Sequence, residues 1–346
     1  MSLNIRKECC LIPYHSFRLP STALALVEVH SAEEMAEAWH LEAFADSPKL
    51  VLGSGSNTVF VERFEGLVIV NRIMGREVLD EGSDWLVKLG AGEDWHDAVM
   101  WSLSQGISGL ENLSLIPGTA GAAPVQNIGA YGMEFSDLCA YVDILDLEQG
   151  RFSRLSQDEC CFGYRDSIFK GELKGRAVIL GVGLRLPKQW SPRLNYGPLK
   201  ELSEPSAQAI AERVMSVRRE KLPDPDVLGN AGSFFKNPVV PNAVGKDLQQ
   251  RHPNMPAYPA GEGQMKLAAG WLIEQSGMKG AKLDGVGVHQ DQALVLVNHG
   301  EGTVEQLLAL ATQVVRRVSE RFGVVLEPEV RLLNRQGEQC WSHYAD

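Results

Sequence analysis

The chain has no excess of basic residues, no paired-cysteine metal motif and no long apolar run, and each absence removes a class of function. Lys plus Arg number 33 against 44 Asp plus Glu, a net charge of −11. Such a surface gains nothing electrostatically from a phosphate backbone, so general nucleic-acid binding is not expected, while small anionic ligands stay open wherever basic residues converge. The six cysteines occur as Cys9-Cys10, Cys139, Cys160-Cys161 and Cys340, without a CxxC pair or a spaced Cys/His set. Reduced and mostly buried thiols are expected, because adjacent cysteines rarely bridge each other. His252, His289 and His299 form neither HxxxH nor HExxH, so no metal site is expected. The segment Met1 to Cys10 lacks the apolar core of a signal peptide, and no run reaches bilayer-spanning length, which predicts a cytoplasmic protein without a membrane partner. Internal repeats and low-complexity tracts are also absent.

What is present alternates strand and helix signals over a length suited to two or three domains. Leu24 to Val29 reads as a strand, and Ser31 with Glu34 makes a capping-box pattern opening a helix through Phe44. Lys49 to Gly53, Leu67 to Asn71 and Trp85 to Leu89 read as strands, followed by a helix of about a dozen residues from Asp94. Tyr141 to Leu147 and Ala177 to Leu186 are further strands. A helix from Pro205 to Lys221 stops at Pro223-Asp-Pro225, a candidate boundary. Beyond it the spacing predicts a helix over 266–276, a buried strand over 293–298, and a long helix capped by Thr303 and Gln306. The pattern predicts an α+β or mixed α/β chain of several domains, with too few βα repeats for a barrel.

Five segments carry candidate chemistry. Gly53-Ser54-Gly55-Ser56-Asn57 follows a strand and can turn backbone N–H groups toward an anion. Thr58 stands where a dinucleotide fingerprint needs its third glycine and no helix follows, which disfavours a Rossmann nicotinamide site; a solvent-exposed turn is the plain alternative. The stretch from Leu115 to Gly132 interleaves Pro117, Gly118, Thr119, Gly121, Ala122, Gln126, Asn127, Gly129, Ala130 and Tyr131 among small residues. Surfaces without bulk let a large flat ligand lie against backbone, and tight packing between elements is the alternative. In Gly163-Tyr164-Arg165-Asp166, a strand would point Tyr164 and Arg165 to opposite faces, and Arg165 can grip a carboxylate with two donors or form a structural ion pair. Gly229-Asn-Ala-Gly232-Ser233-Phe234-Phe235-Lys-Asn237-Pro frames one hydroxyl with residues chosen for backbone geometry: the glycines for positive φ or close approach, the aromatics as apolar walls. A tight turn entering a strand is the bland reading. Leu326-Glu-Pro-Glu329-Val sets a carboxylate in an apolar, strand-like run, where it needs a partner or a raised pKa; an ordinary ion pair, for instance with Arg331, is the plain alternative.

Together, and in this order, the motifs GSGSN, IPGTAGAAPVQNIGAYG, YRDSIFK, GNAGSFFKNP and LEPEV resemble the UDP-N-acetylenolpyruvoylglucosamine reductase (MurB) family, from about Thr22 to Arg331. The resemblance implies an α+β chain of three domains: a vanillyl-alcohol-oxidase-type FAD-binding region in two parts, 1–70 and 71–222, and an α/β substrate-binding domain over 223–323. The segment 324–346 is a candidate addition to the first part. It implies non-covalent FAD, with Gly53 to Asn57 at the pyrophosphate and residues 117–132 along the rest, and NADPH as hydride donor. The acceptor implied is an enolpyruvyl UDP-sugar, the enzyme a monomer. Arg165, Ser233 and Glu329 match the catalytic positions, with Ser233 as proton donor. Tyr164, Tyr196, Arg218, Lys221 and Asn237 match substrate contacts, and Tyr196, in a loop near 190–200, marks the longer type I enzymes. Another flavin oxidoreductase of the same fold, acting on an alcohol or lactone, would keep the small-residue segments without needing the serine motif, Tyr196 and LEPEV together; a nucleotide-binding or structural protein without turnover is the third reading. Val330 to Asn334 departs from the family's terminal turn.

Overall fold

The computed structural model describes residues 3–343. Met1 and Ser2 of the N-terminal segment and the last three residues of 324–346 lie outside the described residues. The chain divides into two compact units, one made of Met1–Cys9, Leu24–Ser54 and Gly66–Glu220, the other of Cys10–Ala23, Gly55–Glu65 and Lys221–Asp346.

The first unit holds two main sheets. Four strands run in the order Arg6–Cys10, Thr22–Val29, Phe64–Asn71, Lys49–Leu52, and the last two pair in parallel. Five antiparallel strands follow the order Arg151–Ser156, Cys139–Asp146, Ala177–Pro187, Asp84–Gly90, Arg76–Asp80. Apolar residues of Thr22–Val29 and Phe64–Asn71 bury Val27 and Ile69 against Met35, Leu145 and Val178, whereas Val142, Val182 and Leu184 pack with Trp95 and Phe135. The helix Trp95–Ser104 begins as expected, with the Asp94 side chain accepting from the Asp97 N–H. The helix opened by Ser31 is Ala32–Trp39 only, shorter than expected, since Leu41 leaves helical geometry and Glu42–Phe44 forms a separate 3₁₀ turn. There Glu34 accepts from the His30 N–H, one residue before the cap.

The second unit stacks helices on small sheets. Gly229–Ser233, Val295–Asn298, Val286–Val288 and Lys282–Leu283 form one antiparallel sheet. Val239–Pro241, Gln264–Leu267 and Ala257–Pro259 form another, while Thr58–Phe60 pairs in parallel with Arg331–Asn334. The long helix Val304–Phe322 carries the expected capping box and ends at Gly323 in left-handed geometry. Its stripe, including Leu307, Ala311, Val314 and Val318, packs with Phe17, Phe234 and Phe235. Residues 266–276 are not one helix. Gln264–Leu267 is drawn into a central strand between two partners, and the helix is Ala269–Gln275. Only Cys139 and Cys160 are buried thiols; Cys10, Cys161 and Cys340 are exposed, contrary to the expectation of mostly buried cysteines. Among the described residues no helix is long and apolar enough to cross a membrane, and no cluster of three potential ligands for a metal occurs.

Candidate active site

In the first unit, Gly53 lies against Thr119. A Cβ at Gly53 would fall 2.5 Å from Thr119 Oγ1, so only glycine lets the end of the Lys49–Leu52 strand meet the small-residue stretch there. Gly121 packs the same way, its virtual Cβ lying 2.6 Å from the Ala91 methyl. Part of the glycine content therefore serves close packing of the chain on itself. Ser54 Oγ and Ser114 Oγ are buried without a hydrogen-bond partner, and a buried hydroxyl is costly unless something completes it. Orphaned hydroxyls beside residues with little bulk fit a phosphorylated cofactor such as FAD.

The stretch itself runs as successive turns through Asn127 and ends in a small hairpin, Gly129–Ala130 with Met133–Glu134. Tyr131 (φ 50) and Gly132 (φ 79) form its tip, the pair of positive φ values that a two-residue hairpin loop requires. The amide of Asn127, 1 % exposed, is used inside the protein. Its Nδ2 donates to Glu134 Oε2 at 2.8 Å and to the Gly163 carbonyl at 3.1 Å, while Oδ1 accepts from the Ser136 N–H at 2.9 Å. Pro117, Gly118, Ala122, Gln126 and Ala130 lie on the same turns and hairpin.

Tyr164 and Arg165 are not in a strand. They form the tip of a tight turn between Gly163 and Asp166, which are bridged to each other, and Arg165 is left-handed at φ 55. Their side chains consequently do not go to opposite faces: the Arg165 guanidinium carbon lies 5.5 Å from the Tyr164 ring centre. Arg165 Nη2 donates to the Gly129 carbonyl at 3.2 Å, and Ser167 Oγ ties the same turn to the Val125 carbonyl at 2.6 Å. Burial pushes the Arg218 guanidinium below its ordinary value; Tyr131 opposes that shift and the like charge of Arg165 adds to it. Arg165, Arg218 and Tyr131 thus share one neighbourhood. Tyr196, 55 % exposed, meets the Tyr131 ring edge-on at 6.0 Å. Its loop is moored by Trp190 Nε1 on Glu111 and by Asn112 Nδ2, which donates to both the Tyr131 and Arg193 carbonyls.

In the second unit, the strand Gly229–Ser233 is irregular in a useful way. Asn230 pairs with Val297 and Ser233 with Val295, so one extra residue is inserted and the strand bulges. Gly232 takes φ 67 within the bulge, and Asn230 Oδ1 accepts its N–H at 2.9 Å. At Gly229 a Cβ would lie 2.5 Å from the Phe17 carbonyl oxygen. One glycine is needed for φ and the other for close approach. Phe234 and Phe235 are both fully buried, ring centres 5.0 Å apart, and belong to the core of this unit. They follow the half-buried Ser233 directly in the chain and root its segment in that core.

Beside this strand runs the LEPEV segment. The Glu329 N–H donates to the Phe234 carbonyl at 2.8 Å, and Phe235 is bridged to Pro328. Glu329 precedes the strand Arg331–Asn334 rather than lying in it, and it is half-buried rather than enclosed. Arg331 pairs with Glu338 at 2.9 Å. Asn57 joins the group: its Nδ2 donates to the Glu329 carbonyl at 3.3 Å and its carbonyl accepts from the Arg331 N–H at 3.0 Å. Gly55, at φ 64, packs so closely on Tyr14 and His15 that a Cβ would sit 2.2 Å from the Tyr14 carbonyl oxygen. Ser56 is tied through its carbonyl to Ser16 Oγ, which also donates to the Asn230 carbonyl. Asn57, Ser233 and Glu329 therefore stand on directly bonded segments. Asn237 Oδ1 accepts from the Ala269 N–H at 2.9 Å, and Lys221 closes the helix Ala207–Lys221.

Sequence reasoning missed His96, Asn112 and Glu111. Their contacts join residues up to 81 positions apart, as from Asn112 to Arg193, and no local pattern announces them.

Two family models match the chain: an FAD binding domain over residues 23–156 and the UDP-N-acetylenolpyruvoylglucosamine reductase C-terminal domain over 224–333. UDP-N-acetylenolpyruvoylglucosamine reductase of Photobacterium profundum is 48 % identical over 342 residues, covering 98 % of this chain and 99 % of that protein. The same-named protein of Shewanella sp. is 49 % identical over 330 residues, 95 % and 97 % of the respective chains. In fold, the crystal structure of the Thermus caldophilus reductase (MurB) matches with a TM-score of 0.65 at 24 % identity, covering 96 % of this chain and 99 % of that one. The chain belongs to the UDP-N-acetylenolpyruvoylglucosamine reductase (MurB) family.

Proposed function

We infer that the chain is an FAD-dependent oxidoreductase that uses NADPH to reduce the enolpyruvyl group of UDP-N-acetyl-3-O-(1-carboxyvinyl)glucosamine to the lactyl group of UDP-N-acetylmuramate, a step of peptidoglycan precursor synthesis. The observation that carries the residue roles is the pairing of the Ser233 bulge with the Glu329 segment. When bound, FAD supplies hydride transfer, from NADPH to C3 of the enolpyruvyl double bond. Gly53, Ser54 and Thr119 are the proposed cradle for it in the first unit, together with the turns and hairpin through Gly132; the resemblance assigns Gly55, Ser56 and Asn57 to the cofactor as well.

As hydride reaches C3, negative charge spreads from C2 into the substrate carboxylate. Arg165 is assigned to that carboxylate, its guanidinium fork already steadied by the Gly129 carbonyl. Glu329 is assigned to the same developing enolate, which it can approach as a neutral or proton-sharing acid. Ser233 delivers the proton to C2. A serine hydroxyl is a weak acid, so the step requires a strongly basic carbanion and little water. Tyr164, Tyr196, Arg218, Lys221 and Asn237 are assigned to the UDP-sugar, Lys221 as a point charge for the diphosphate. The reading takes 1–70 and 71–222 as the flavin-binding parts and 223–323 as the substrate domain, in a cytoplasmic monomer.

An anaerobic titration tests this directly. NADPH should bleach the bound flavin, and the enolpyruvyl substrate should restore its colour. Ser233→Ala should keep the first half-reaction and slow the second by about 10²–10⁴-fold. Equal rates of recolouring in variant and wild type would remove Ser233 from the chemistry, and a protein that takes up no FAD would defeat the enzyme reading.

A further inference from the structure

Leu115 is held at both its backbone N–H and its backbone carbonyl. It opens the small-residue stretch at φ 58, a conformation that a residue with a side chain keeps only when its surroundings enforce it. Its N–H donates to His96 Nδ1 at 3.0 Å, and its carbonyl accepts from Arg218 Nε at 3.1 Å. His96 is itself firmly placed, on the first turn of the helix Trp95–Ser104. That turn is bonded to residues on either side of Leu115: the Trp95 N–H donates to the Gly118 carbonyl at 3.0 Å, and Trp95 Nε1 to the Leu113 carbonyl at 3.1 Å. The backbone of one leucine thereby links a histidine to an arginine assigned to substrate.

We propose that His96 is a positioning residue for substrate binding: its neutral imidazole holds the left-handed Leu115 backbone in the conformation whose carbonyl fixes the Arg218 guanidinium, and its protonation releases that hold. This rests on the assignment of Arg218 to the UDP-sugar. The chemistry is specific. Nδ1 can accept the Leu115 N–H only while the ring is neutral with its proton on Nε2; an imidazolium has no lone pair to offer. The groups facing His96 are Asp94 and Asp97 from its own helix and Arg218 and Arg219 from Ala207–Lys221. Burial outweighs the two aspartates and keeps the imidazole below its ordinary value, so the tie is intact at neutral pH and is lost as pH falls through the imidazole's range.

The test uses FAD-loaded enzyme and measures affinity for the enolpyruvyl UDP-sugar by calorimetry between pH 5 and 8, with steady-state constants beside it. His96→Ala should weaken binding about tenfold at pH 7.5, the equivalent of one net hydrogen bond, and should raise KM more than it lowers kcat. His96→Asn places an amide oxygen near the position of Nδ1 and should recover most of that loss. It should also lack the weakening that wild type shows on acidification. The double variant His96→Ala with Arg218→Ala should bind no worse than Arg218→Ala alone. Melting temperatures of both His96 variants separate misfolding from misplacement, and His96→Asn carries the test if His96→Ala does not fold. If Arg218→Ala loses affinity while His96→Ala does not, or if the acid weakening persists in His96→Asn, the tie is refuted. Unchanged affinity in Arg218→Ala would overturn the assignment of Arg218, and this proposal with it.

Discussion

Replacing Asn127 by alanine should damage stability and catalysis together. The Asn127 side chain is 1 % exposed and makes three hydrogen bonds, one of them to the Glu134 carboxylate. A bond to a charged group contributes about 1.5–3 kcal/mol and each neutral one about 0.5–1.5, so alanine should cost between about 2.5 and 6 kcal/mol, less where water fills the gap. Alanine also fits the φ of 43 worse than asparagine does. With a urea slope of about 3 kcal/mol/M, the unfolding midpoint of the first unit should drop by about 1–2 M. Because the Gly163 carbonyl loses one of its two donors, the Arg165 turn is loosened too, and kcat/KM should fall even where the protein remains folded.

Asn127→Asp sharpens this. It removes both donors and sets a second carboxylate against Glu134, so the pair in the folded state holds a proton more tightly than in the unfolded chain. The variant should be most stable at acid pH and lose stability as pH rises through the carboxylate range. The measurements are urea unfolding by tryptophan fluorescence at pH 5 and pH 8, FAD affinity, and kcat/KM. A stability loss below about 1 kcal/mol in Asn127→Ala, with a large loss of FAD affinity, would refute the tie and make Asn127 a direct cofactor contact.

Two further outcomes are expected. Arg165→Lys should lower kcat/KM on the order of 10²-fold, since a point charge cannot span both the Gly129 carbonyl and a substrate carboxylate; near-normal turnover would demote Arg165. His15 is buried, its Nδ1 has no hydrogen-bond partner, and burial lowers its pKa to about 4 despite the bond to the Leu19 carbonyl. The unfolded chain binds that proton from about pH 6.5 downward while the folded one resists it. Stability of the second unit should therefore fall by about 3 kcal/mol as pH drops from 6.5 to 4. Thermal melts of wild type and His15→Gln across that window check it, and equal slopes for the two would refute the assignment.

The parts legible in the sequence are those in which one residue type answers a local backbone demand. Gly232 at positive φ and the Thr303 and Gln306 cap follow from residues within a few positions of each other. Expectations failed where a distant partner decided. Lys266 and Leu267 read as the start of a helix until two strands flank them. Tyr164 and Arg165 are the exception: the Gly163-to-Asp166 bond that turns them is local, and the strand reading overlooked it. The assembly of the second unit from residues 10–23, 55–65 and 221–346 has no local signal either. It depends on groups such as Asn298, whose Nδ2 reaches the Phe17 and Arg18 carbonyls while Oδ1 accepts from Gly300 and Gly302.

The same distinction separates the two kinds of site residue. Ser233, Arg165 and Glu329 sit in motifs because each needs its own peptide bent in a particular way: a bulge, a left-handed turn, a bridged segment just before a strand. Residues that only hold such a peptide in place have no such need and can come from any element that passes within hydrogen-bond reach. His96 does so from a helix whose own pattern is fully explained by its cap and its buried face. A histidine there satisfies helix rules as well as glutamine or lysine would, so helix patterning could not single it out. What singles it out is the strained leucine it faces, since a φ of 58 at Leu115 must be enforced by whichever groups bond its N–H and its carbonyl.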